Sequence, residues 1–72
     1  MTIHDALRAV VAEAPTHKGF IGYAKAYALR ALTDRMEGEA LERNILYILG
    51  NLAAWRGGRA REVKKVLKSF KP

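Results

Sequence analysis

Cysteine is missing from this chain altogether, which excludes disulfides and thiolate metal sites. Histidine occurs twice, as His4 and His17, with no cluster of further ligating residues around either one, so neither a metal nor a cofactor is expected. The one serine, Ser69, sits among lysines near the end of the chain, far from any base that would activate it. Gly19-Phe20-Ile21-Gly22 lacks the glycine spacing and preceding strand of a phosphate-cradling loop. The sequence therefore reads as that of a binding protein rather than an enzyme. No apolar run approaches the ~18 residues of a membrane span. The opening Met-Thr-Ile-His-Asp lacks the basic-then-apolar pattern of a secretory signal. The absence of cysteine is compatible with the cytoplasm, which is the expected location.

What the chain does have is hydrophobic content: half of its 72 residues, too much for a disordered segment and enough for one domain. A core of this size supplies roughly 3–5 kcal/mol, and such domains usually add a staple. With disulfides excluded and no metal cluster in view, regular helix packing or pairing with a second copy remains, and a homodimer is expected.

The apolar spacing predicts an all-α compact bundle of four short helices over about residues 2–14, 19–36, 39–55 and 59–70. Thr2 and Asp5 form a capping-box-like start to the first helix, and Pro15 ends it. Ile3, Ala6, Leu7, Val10, Val11 and Ala14 are its apolar positions. In the second helix Phe20, Ala24, Tyr27, Ala28 and Ala31 form a stripe that Ile21 and Leu32 widen. Arg30 and Asp34, four apart, suit a surface ion pair. Glu37, Glu39 and Glu42 crowd the start of the third helix, where the dipole favours acids, and this explains them better than metal binding does.

The third helix is the most apolar and is expected to be central. Leu41, Ile45, Ile48, Leu52 and Trp55 line one face, widened by Leu46, Leu49 and Ala53. Asn44 and Asn51 are read as solvated at its edge, although buried Asn at that spacing would fix helix register. Gly50 and Ala54, near Tyr47, leave a smooth strip suited to a close helix crossing, so Tyr47, Gly50 and Ala54 are the candidate self-association residues. Arg56-Gly57-Gly58 is expected to close this helix with a left-handed glycine.

The charge is placed asymmetrically. Residues 1–55 carry six basic and six acidic side chains, so the whole net charge of +6 lies in Arg56–Pro72, which holds seven basic residues and one acid, Glu62. Ala60, Val63, Val66, Leu67 and Phe70 form the inner side of the fourth helix, and Arg61, Lys64, Lys65, Lys68 and Lys71 fall opposite. Arg59 and Arg61 stand in a first turn that the dipole has already made positive, where free N–H groups point outward. An anion there would relieve both conditions. Arg56, Gly57, Gly58, Arg59, Arg61, Lys64, Lys65 and Lys68 are therefore the candidate polyanion-binding residues, with nucleic acid the expected partner. An acidic surface of another protein is the alternative. An anionic membrane surface ranks third, because the helix needs its modest apolar side for the core.

Two resemblances accompany this reading. From Leu52 to Val66 the chain partly resembles the helix-turn-helix motif, with Ala53, Gly57, Val63 and Val66 at the small, turn and buried positions. Arg56 and Gly58 depart from it, standing where the motif is usually apolar. The resemblance implies that the fourth helix is a recognition helix. From Leu46 to Leu67 the chain is also similar to small proteins of phages and mobile elements, which implies an accessory protein that binds DNA or a host protein.

Overall fold

The computed structural model of the protein describes every residue from Met1 to Pro72. Four helices follow one another: α1 (Ile3–Glu13), α2 (Ile21–Thr33), α3 (Gly38–Gly50) and α4 (Gly58–Lys68), with no strand. This is the expected all-α bundle.

Local chemistry sets each boundary. The Thr2 hydroxyl accepts from the Asp5 N–H at 3.1 Å, and the Thr2 N–H donates to the Asp5 carboxylate at 3.0 Å, which completes the capping box. The Thr2 backbone bond and then its side-chain bond hold the Asp5 carboxyl below the usual aspartate range. α1 is capped at Ala14, the extended residue before Pro15, whose carbonyl accepts from the Lys25 ammonium at 2.9 Å. That cation at the negative end of α1 also holds the Thr16 hydroxyl at 2.7 Å and ties the first connection to α2.

α2 closes with a Schellman motif. The Met36 N–H donates to Ala31 O at 3.1 Å and the Arg35 N–H to Leu32 O at 3.4 Å, with Arg35 in the left-handed region at φ 50°. Arg30 and Asp34 form the expected surface pair at 3.3 Å.

The core gathers one side of every helix. Leu7 and Val10 of α1, Ile21 of α2, Ile48 of α3, Val63 and Leu67 of α4 and the loop residue Leu52 are its largest fully buried side chains. Ala24, Ala28 and Ala31 are buried along α2 and keep its neighbours close. The helices form a ring in which α1 packs on α2 and α4, α2 packs on α3, and α3 meets α4 more narrowly. The backbones of α1 and α3 do not come close, so the backbone neighbours of α3 are α2 and α4. α2 and α3 run antiparallel: Gly19 faces Ala54, while Tyr27 faces Asn44 and Tyr47.

Four expectations are corrected. α3 stops at Gly50, five residues short of Trp55. The Asn51 N–H donates to Ile48 O, and its side-chain amide donates to Tyr47 O at 2.8 Å, closing the last turn. Leu52 and Trp55 reach the core from the connecting turns instead. Asn44 is buried, not solvated, and its side-chain amide donates to the Tyr27 carbonyl at 2.7 Å, locking α3 against α2. Phe20 is exposed, because it is the non-helical residue before α2 (φ −101°, ψ 17°) and does not extend the buried stripe. Leu46 is exposed as well, since it points roughly 135° away from the Leu41, Ile45 and Ile48 face.

Candidate polyanion-binding surface

α4 is set up by Gly57, which precedes it at φ 111°, a backbone conformation that glycine adopts without strain. The left-handed glycine thus starts α4 and does not cap α3. No side chain caps the first turn of α4, and that turn contains no acid. Its leading N–H groups therefore have no intrahelical acceptor. Ala60, Val63 and Leu67 are buried, and Val66 and Phe70 are half-buried against the core, so the inner side is as expected.

The basic residues divide into two groups. Arg59 is engaged within the molecule. Its Nε and Nη2 donate to the two carboxylate oxygens of Glu13, both at 2.8 Å, and its Nη1 donates to Glu62 at 2.7 Å. This fork clamps α4 to the end of α1. The bond with Glu13, then that with Glu62, holds the Arg59 guanidinium even more firmly charged, and the same bond holds the Glu13 carboxyl below the usual glutamate range. Arg59 is thus the one cation of this segment that is ion-paired within the chain. Lys64 is half-buried, and its ammonium donates to Trp55 O at 2.7 Å, fastening the connection before α4. Burial, and then the charges of Lys68 and Arg56, hold this ammonium below the usual lysine range.

Arg56, Arg61, Lys65 and Lys68 are exposed and take part in no ion pair. At 100° per residue, Lys64, Lys68, Arg61 and Lys65 occupy about 100° of arc on α4, while Glu62 and Arg59 lie on the α1 side. The acid is thus drawn to one flank and leaves an unopposed cationic strip on the other. At the head of the strip Arg56, Gly57, Arg61 and Lys64, with Ala53, Trp55 and Ala60, line a shallow cavity of about 330 Å³. Three cations around an open helix start can hold a phosphate or carboxylate by charge-assisted hydrogen bonds. Gly58 is exposed at the same helix start, and Lys65 and Lys68 continue the strip along α4.

The helix-turn-helix resemblance loses its first position. Ala53 lies in the turns after α3, not in a helix, and seven residues separate Gly50 from Gly58. The motif itself uses a turn of about 3–4 residues.

The candidate self-association residues separate as well. Tyr47 and Gly50 are exposed, whereas Ala54 is half-buried and close to Gly19 of the same chain, where an added Cβ would come within 3.2 Å of it. Tyr47 stacks on Tyr27 with ring centroids 5.5 Å apart. Phe20 and Tyr23 continue this surface along α2, and nothing in the hydrophobic periodicity flags Phe20 as exposed.

The largest cavity, about 650 Å³, is lined by Leu32, Met36, Leu41 and Phe70 with His4, Arg35 and Lys71, which lies beyond the end of α4 and apart from the strip that Arg61, Lys64, Lys65 and Lys68 form. His4 and His17 are exposed, and no three ligating side chains converge anywhere in the fold. No helix is long and apolar enough to cross a membrane. No protein-family model, curated protein or solved structure matches this chain.

Proposed function

We propose that this protein is a non-catalytic binding module whose α4 strip holds a polyanion, with nucleic acid the leading ligand. One observation carries the reading. The entire net charge lies in the last seventeen residues, and Arg56, Arg61, Lys65 and Lys68 stand there exposed and unpaired. Neutralising phosphates with such side chains releases counterions, so binding should weaken steeply with salt. Arg56 and Arg61, with Lys64 beside them, hold phosphates at the start of α4, and Lys65 and Lys68 follow the backbone onward. A cytoplasmic setting, where nucleic acid is met, is part of the same proposal.

An acidic protein surface is the alternative ligand, since the strip would steer it by the same field. Titration of labelled duplex DNA separates the two. With about four phosphate contacts, a fourfold rise in salt lowers nucleic-acid affinity on the order of 100-fold. Absence of DNA and RNA binding even at low salt would transfer the strip to a protein partner. A second copy of the chain is also proposed as a partner, because a core of this size without a disulfide or metal staple gains stability from pairing.

A further inference from the structure

The outer side of α2 and α3 carries a concentration of apolar surface that the fold does not use. Phe20, Tyr23, Leu46 and Tyr47 are 66%, 64%, 63% and 53% exposed. Half-buried Tyr27 joins them through its stack on Tyr47, and Phe20 lies against Tyr23 with ring centroids 6.2 Å apart. Because α2 and α3 are antiparallel, these residues form one surface: Phe20 borders Gly50 at one end, and Tyr27 and Tyr47 border Arg30 and Arg43 at the other.

We infer that this face binds a second copy of the chain, in an antiparallel two-fold pairing centred near Leu46 and Tyr47. The inference rests on the self-association proposed above and is independent of polyanion binding. Three observations favour a second copy. The face is self-complementary end to end, because antiparallel pairing lays the Arg30 and Arg43 end of one copy over the uncharged Phe20 and Tyr23 rings of the other, a favourable cation–π arrangement. Arg43 has no ion-pair partner within its own chain. Gly50, the last residue of α3, leaves this face open: it has no positive φ and a Cβ there would meet nothing within 4 Å, so a second copy can approach closely at that end.

The size is also suitable. Fully covered aromatic side chains bury about 150–250 Å² each, so at their partial exposure Phe20, Tyr23 and Tyr47 with Leu46 offer about 400–500 Å², and the small and charged residues around them supply the remainder of the roughly 800 Å² per partner of a standard interface. α4 does not pack on α2, so pairing through this face leaves the cationic strips of both copies open.

Sedimentation and cross-linking test the inference together. The wild-type chain is expected to sediment as a dimer, and the Tyr23→Glu/Tyr47→Glu variant as a monomer with unchanged helical circular dichroism. Loss of two aromatics of this face weakens dimerisation at least about 30-fold. The chain has no native cysteine, so Leu46→Cys is expected to form a disulfide-linked dimer under mild oxidation, and Ser69→Cys at the end of α4 is not. A wild-type monomer at every concentration overturns both self-association and this face. A dimer that survives the double substitution and is not trapped by Leu46→Cys overturns the face and leaves self-association standing. Neither result bears on DNA binding, which the salt titration reads separately.

Discussion

Arg35 occupies a position that favours glycine. It supplies the left-handed turn that closes α2, at φ 50°, with a side chain that such a backbone disfavours. Arg35→Gly is therefore expected to raise stability by about 0.5–1 kcal/mol, measured by urea denaturation. Asn44→Ala is expected to lower it by about 1–3 kcal/mol, because the buried bond to Tyr27 O is lost and its site is left poorly filled. Glu13 adds a pH dependence. Its pairing with Arg59 lowers its folded pKa, so the pair contributes stability above the ordinary glutamate range and loses it as pH falls through and below about pH 4. Glu13→Gln should flatten that acid limb in a denaturation series against pH. Sequence spacing revealed Thr2 with Asp5 and Arg30 with Asp34, since such pairs lie within one helical turn. It could not reveal Arg59 with Glu13, which are 46 residues apart and meet only because α4 packs on α1.

At the scale of elements, α3 was harder to read than α1 or α4. Leu52 and Trp55 continue its apolar spacing, yet the helix stops at Gly50, because Asn51 satisfies the last carbonyls and the core accepts those two side chains equally well from a turn. Periodicity reports which residues are buried more faithfully than it reports which backbone presents them. α4 was legible because its apolar and cationic residues separate cleanly at 100° per residue. Its entry supports two predictions. Gly57→Ala should cost about 1–2 kcal/mol in thermal or urea unfolding, since φ 111° strains any side chain. Arg61→Ala should weaken DNA binding and reduce the salt slope by about 1, whereas Arg59→Ala should loosen the α1–α4 clamp with a smaller effect on that slope. Lys64 gives a further signature. Burial and its cationic neighbours lower its pKa, so it deprotonates before an ordinary lysine does, and anion affinity should begin to fall at correspondingly lower alkaline pH.

The whole molecule is a ring of four helices with a different surface on two of its sides. The outer strip of α4 presents positive charge without acids, and the α2–α3 seam presents aromatic rings with Arg30 and Arg43 at one end. The charge asymmetry is visible in the sequence because it is concentrated at one end of the chain. The aromatic face is not, because its residues come from two helices and from the position just before one of them. The proposed function depends most on the α4 strip being a docking surface for a phosphate backbone. The most direct measurement is the slope of log affinity for a DNA duplex against log salt, for the wild-type chain and for Lys65→Ala/Lys68→Ala. The expected wild-type slope is about −3 to −4, made shallower by about 2 in the variant, with both proteins equally folded. A wild-type chain that binds no duplex at low salt, or a variant with an unchanged slope, would contradict it.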